Sequence, residues 1–280
     1  MRLDDRLHAT LMHATARWTV RYGENLRFAG SDLPKPRVRK VDTRHGKVPV
    51  HVYAGSERGA YVHFHGGAWL MRHPGMDDWW CRYVAATTGL TVVNIDFRTG
   101  PYVAYPVAQH QCHDAAAWAA GEFDRVAVGG FSSGGGLAAA VCLQARDAGS
   151  FRPVLQVLGV PALDMASDLD DGPGMISAGL RRLVRRVYFP DPATRADAYA
   201  SPVLAPDLTG LPPAVVLTAE RDVLRPDGDR YAARLREAGV PVRHDLTPNV
   251  DHYFLTENPE RARATMAMVA AAIRDAVADR

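Results

Sequence analysis

One serine in the chain stands where a hydroxyl could become a nucleophile: Ser132, in the run Gly130-Phe131-Ser132-Ser133-Gly134. A serine hydroxyl attacks only when a neighbouring base takes its proton and a third group holds that base. The run follows the apolar stretch RVAVGG and precedes LAAAVCLQA, so it reads as a strand passing into a helix. A G-x-S-x-G turn there needs small residues beside the serine, because the reversal is sharp, and it leaves the hydroxyl at the C-terminal end of a sheet. Gly134, Gly135 and Gly136 would also bring the helix's N-terminal amides close to developing negative charge. A glycine-rich turn with solvated serines gives the same pattern, so the motif needs partners.

The second signal is His65-Gly66-Gly67-Ala68-Trp69, at the end of the apolar run YVHF. Acyl transfer passes through a tetrahedral oxyanion, and each backbone amide aimed at that oxygen is worth about 3 kcal/mol. Gly66, Gly67 and Ala68 shape such a loop, with Gly67, and Gly66 or Ala68, as amide donors beside Ser133. His65 then anchors the loop. His63 and His65 at alternate strand positions would also put two imidazoles on one face, but no third ligand accompanies them and no metal is expected.

A base and an acid should follow the serine in that order. His252, in VDHYF, lies beyond the last apolar strand and ahead of the C-terminal helix, whereas His244 sits inside VRHDLT, where a strand would fix it against a sheet. Asp222 stands in TAERDVLRPDG directly after AVVLT, with Glu220, Asp227 and Asp229 as nearby alternatives. Asp227 and Asp229 read as first-turn residues of the next helix, where carboxylates favour the helix dipole. Asp251 adjoins His252, and adjacent side chains point apart.

The elements that must position these residues alternate along the chain. Strands are expected at 37–42, 47–54, 61–65, 91–96, 125–130, 154–160, 214–218 and 242–247, and helices at 77–88, 107–120, 134–147, 226–238 and 260–277. Apolar strands alternating with helices imply a mostly parallel sheet covered on both faces. Ahead of them, Leu3, Leu7, Leu11, Ala14 and Trp18 recur at helical spacing and give residues 3–22 a helix with one apolar face. Residues 162–212 break the rhythm and read as an insertion over the sheet. They contain a basic amphipathic helix in which Arg181, Arg182, Arg185 and Arg186 face solvent and Leu180, Leu183, Val184 and Val187 oppose them.

With 33 basic and 31 acidic side chains, a formal charge of +2 offers no footprint for nucleic acid. No run of about 18 apolar residues suits a membrane span, and MRLDDRLHATLMHATARW lacks a signal-peptide core, so a cytoplasmic protein without stable membrane insertion is expected. Three cysteines without paired spacing, Cys81, Cys112 and Cys142, fit reduced thiols. The 280 residues suit one domain.

Taken together, these motifs resemble the hormone-sensitive lipase branch of the α/β-hydrolases, the bacterial carboxylesterase and acetyl-hydrolase type, over about residues 60–280. HGGAW looks like the family's HGGG loop, GFSSGGG like its GDSAGGN, and DHYF stands where HGF is usual; Arg98, Pro106 and Asp114 also fall in matching places. The resemblance implies an eight-stranded α/β-hydrolase fold with a helical cap formed by residues 1–35 and about 162–212. It implies Ser132, Asp222 and His252 as catalytic residues, Gly66, Gly67, Ala68 and Ser133 around the oxyanion, a small-molecule ester of small or medium acyl chain as substrate, and no cofactor. An amide-cleaving relation to arylformamidases, and dehydratase or ligand-binding members of the same family, are the alternatives, and a homodimer is left open. The chain departs from the pattern at Phe131 (usually acidic), Ser133 (usually Ala), Ala68 (usually Gly), Tyr253 (usually Gly) and Gly100 to Tyr102.

Overall fold

The structure, a computed structural model, describes residues 2–20, 22–55, 59–168, 172 and 174–278. Eight strands form one sheet: β1 (Arg37–Val41), β2 (Val48–Tyr53), β3 (Ala60–Phe64), β4 (Thr91–Ile95), β5 (Val126–Phe131), β6 (Gln156–Gly159), β7 (Ala214–Ala219) and β8 (Val242–Thr247). Their order is β1-β2-β4-β3-β5-β6-β7-β8, with β2 antiparallel to both neighbours and every pair from β4 to β8 parallel. All eight expected strands form. The inner ones read as unbroken apolar runs because helices cover both faces.

Alternation along the strands feeds two cores. Val62, Phe64, Val93, Val128, Leu158 and Val216 point to one face, where α3 (Val107–Glu122), α4 (Ser133–Ala148) and α6 (Arg225–Glu237) pack. Tyr61, Val92, Ala127, Val157 and Val215 point to the other, against α2 (Asp78–Thr88) and α8 (Pro259–Ala278). Among the described residues two further α-helices stand besides α1: α5 (Ala178–Val187), between β6 and β7, and the single turn α7 (Phe254–Glu257).

The first helix, α1 (Leu3–Thr19), ends three residues before the sequence pattern suggests, and its apolar face points outward. Leu3, Leu7, Leu11 and Trp18 are 57–72% exposed, while Asp5, Ala9 and Ala16 are buried. Small residues let α1 lie close to α5, and Asp5 locks that side with a two-pronged pair to Arg186, 2.8 Å on each arm. The ring of His13 adds bonds to Leu70 O and Thr99 Oγ1 at 3.2 and 3.1 Å. Polar contacts, not apolar area, therefore set the rotation of this helix. Among the described residues no helix is long and apolar enough to cross a membrane.

Candidate active site

β5 ends at Phe131 and α4 begins at Ser133, leaving Ser132 alone at the reversal with φ 56° and ψ −120°. A non-glycine residue held there stores about 1–3 kcal/mol of strain, which surrounding contacts must hold. They do so at three points: Ser132 N donates to Gly159 O at 2.8 Å, and Ser132 O accepts from Gly136 N at 3.1 Å and Ala162 N at 3.2 Å. The flanking glycines are required by contact. A Cβ on Gly130 would lie 2.3 Å from Phe64 O, and one on Gly134 only 1.9 Å from it.

Phe131 alternates to the opposite face and enters an aromatic cluster with Trp79 and Trp80, ring centroids at 5.7 and 5.8 Å. Its ring edge lies where a Cβ on Gly159 would fall, 2.3 Å away. An apolar residue at this position therefore matches an apolar pocket built from α2.

Asp222 and His252 come from the loops after β7 and β8. Asp222 Oδ1 accepts Leu224 N at 3.0 Å, which orients the carboxylate, and Oδ2 accepts Nδ1–H of His252 at 2.7 Å. Both side chains are buried. With its proton on Nδ1, the imidazole keeps a lone pair on Nε2. The competing groups are engaged elsewhere: Glu220 holds Asn249 N at 2.7 Å, Asp229 pairs with Arg225 at 3.0 Å, and His244 meets Thr218 Oγ1 at 2.9 Å. Asp251 holds Met175 N at 3.0 Å and His252 N at 2.6 Å, so it supports the loop rather than the ring.

The His65–Trp69 loop folds as a left-handed turn. Ala68 and Trp69 have φ of 56° and 54°, Gly67 has φ of 105°, and Leu70 N and Met71 N close onto Gly67 O at 3.0 and 2.9 Å. Among the described residues no acceptor in the chain meets the amides of Gly67, Ala68 or Ser133. Gly66 departs from the expectation that it could donate: its amide already bonds Asp77 Oδ2 at 3.2 Å. The same oxygen takes Nε2–H of His63 at 2.9 Å, and His63 Nδ1 accepts the Tyr61 hydroxyl at 3.2 Å. This buried chain from Tyr61 to Gly66 clamps the loop from behind.

Asp77 has no legible signal in the sequence, since nothing about PGMDDWW distinguishes it from a solvated turn residue. His65 anchors the loop as expected, donating through Nδ1 to Gly66 O at 2.7 Å and stacking on Phe97 at 4.3 Å. Burial pushes its pKa down to about 4, so the ring is neutral. Among the described residues no three metal-ligating side chains converge.

Ser132 lines two cavities. The larger, about 280 Å³, is walled by Trp69, Met165, Ile176, Leu180 and Val184, with Asp227 and Arg230 at its polar side. The smaller, about 70 Å³, contains Ser132, His252, Gly67, Tyr22 and Tyr253. Trp69 is held by Tyr188 and Phe189 at centroid distances of 6.1 and 5.2 Å. The basic face of α5 is only partly solvated: Arg181 and Arg185 border the larger cavity, and Arg186 is spent on Asp5. Asp227 Oδ2 accepts Leu163 N and Asp164 N at 2.9 and 3.1 Å, yet desolvation, with Asp164 and Asp222 nearby, raises its pKa to about 7.

Residues 61–256 match the model of a family described by the alpha/beta hydrolase fold. The chain belongs to this family, in its hormone-sensitive lipase-like branch. An arylesterase of Saccharolobus solfataricus is 33% identical over 85% of this chain and 83% of its own length. A carboxylic ester hydrolase of Mycobacterium tuberculosis is 32% identical over 90% of this chain and 71% of its own. Among solved structures, an esterase of the hyperthermophilic archaeon Pyrobaculum calidifontis superposes with a TM-score of 0.85 at 30% identity, covering 98% of this chain and 94% of that one.

As an enzyme of this hydrolase family, a carboxylic ester hydrolase, the chain is unusual behind its elbow. Phe131 is accommodated by aromatic packing. Tyr253 packs on Tyr22 at 4.6 Å and narrows the smaller cavity beside His252.

Proposed function

We propose that the chain cleaves carboxylic esters of small or medium acyl chain through Ser132, His252 and Asp222. The observation that carries this reading is the buried 2.7 Å bond from Asp222 to His252, whose ring lines one cavity with the strained Ser132. Asp222 fixes the ring with its proton on Nδ1, so Nε2 can take the Ser132 proton as Oγ attacks the ester carbonyl carbon. The carbonyl π electrons move to oxygen, and the amides of Gly67, Ala68 and Ser133 receive that oxyanion; Gly66 shapes the turn without donating. Collapse expels the alcohol, which takes the proton from His252, and leaves an acyl-Ser132. Water, deprotonated by the same ring, then attacks the acyl carbon and frees the carboxylic acid. No cofactor enters these steps.

The acyl preference follows from size: about 280 Å³ lies just below the roughly 300–1,000 Å³ typical of ligand pockets. Residues 1–35, through α1 and Tyr22, and residues 162–212, through α5, act as the cap over that space. The three cysteines are free and buried, which supports a reducing cytoplasmic setting.

Turnover of p-nitrophenyl acetate and butyrate, with fluorophosphonate labelling read at the modified peptide, tests the proposal. Hydrolysis lost in Ser132→Ala, with the label on Ser132, is expected. Hydrolysis unaffected by that change, or N-formylkynurenine cleaved in preference to esters, would sink it.

A further inference from the structure

The outer face of α1 has no role in the chemistry above, yet it gathers four of the eight large apolar side chains that are exposed among the described residues. Leu3, Leu7, Leu11 and Trp18 share one face and are 72%, 60%, 62% and 57% exposed. Large apolar side chains scattered singly on a surface need no explanation, but four in one row do. The rotation that exposes them is fixed from the other side by the Asp5–Arg186 pair and the His13 bonds, so it is not a loose helix awaiting a core.

From this row we infer that α1 is an interfacial helix that seats the enzyme on an anionic lipid surface, with its axis in the plane of the membrane. Three properties of the row choose that occupant. Its flanks are cationic: Arg2, Arg6 and Arg17 are exposed beside it, against the single exposed carboxylate of Asp4, since Asp5 is buried and paired. Leucine and tryptophan on one face with arginine beside them is the composition of helices that lie in the headgroup region.

Its shape suits a lipid surface better than a second copy. Four side chains along about 22 Å of helix form a narrow ridge, far short of the ~800 Å² that each partner contributes to a stable dimer. Its position is the third property. Within four residues of Trp18, just past the end of α1, stand Val20 and Tyr22, which line the smaller cavity together with Ser132 and His252. A bilayer against α1 therefore brings apolar esters to the mouth of the site. Insertion stops at the interface, because no described helix can span.

Co-sedimentation with phosphatidylglycerol vesicles, set against phosphatidylcholine vesicles, tests this, with sedimentation velocity of the free protein alongside. Binding to phosphatidylglycerol is expected, weakened by salt, with a blue shift of tryptophan emission that Trp18→Phe removes. The double variant Leu7→Glu, Leu11→Glu should lower the bound fraction about tenfold. It should still turn over a water-soluble ester normally, because neither residue lines a cavity, and this turnover also reports that it folds. Three outcomes would overturn the inference: no binding to phosphatidylglycerol, binding that the double variant leaves unchanged or that phosphatidylcholine matches, or a dimer that the double variant dissociates.

Discussion

Gly134 lies against the carbonyl of Phe64 so closely that a Cβ would stand 1.9 Å from that oxygen. The contact wedges the start of α4 onto β3, and with it the elbow that carries Ser132. Gly134→Ala must therefore move backbone, which costs several kcal/mol and shifts Ser132. We expect a thermal midpoint lowered by about 10 °C or more and ester turnover near background. Gly121→Ala, in α3 with open space around it, should instead leave activity intact and add about 0.5–1 kcal/mol. Equal effects of the two changes would refute the steric argument.

Asp222 and His252 give a second test. Asp222→Asn preserves volume but no longer holds the proton on Nδ1, and a change of this kind in a serine triad costs about 10⁴-fold in kcat. The substitution should leave KM and the far-ultraviolet spectrum nearly unchanged. A loss below tenfold would remove Asp222 from the proposed triad and return attention to Glu220 or Asp227.

Asp77 should act through Gly66 without touching substrate. Asp77→Ala strips acceptors from both His63 and the Gly66 amide in a buried place, a loss of about 1–3 kcal/mol for each donor left unpaired. If the His65–Trp69 loop receives the oxyanion as proposed, loosening it by about 1 Å should lower kcat about 100-fold, while KM moves little. If Asp77→Asn, which keeps one acceptor oxygen, is no better than Asp77→Ala in kcat, the clamp is not the reason.

His65 makes stability depend on pH. Its folded pKa is pushed down to about 4 from an ordinary 6.5, so between those values the unfolded chain binds the extra proton. The contribution is whole above pH 6.5, falls as pH drops through the window, and is gone near pH 4. The fall from 6.5 to about 4 corresponds to about 3 kcal/mol. Urea midpoints of the wild type and His65→Phe between pH 4.5 and 7.5 should diverge in slope, the variant being flatter; parallel curves would contradict the assignment.

The order of elements could be read directly from the sequence, because short unbroken apolar runs and glycine punctuation are local properties. All eight strands, and the strand-to-helix turn at Ser132, follow from residues within a few positions of one another. Asp222 and His252 were legible only through order and resemblance, since their 2.7 Å contact joins two loops 30 residues apart, and no local pattern encodes which carboxylate reaches a ring. The clamp of Tyr61, His63 and Asp77 on Gly66 could not be read at all: it depends on β3 facing the turn before α2, a matter of packing.

The apolar row of α1 marks the limit most clearly. Periodicity found Leu3, Leu7, Leu11 and Trp18 on one face, but which way a helix turns depends on what its other faces meet. Here Asp5 meets Arg186, 181 positions away, and the ion pair turns the leucines to the surface. Composition and spacing therefore determined which elements form and which side chains share a face. Only the tertiary structure decided which faces are buried and which loops converge, because those choices are made by contacts between residues far apart in the chain.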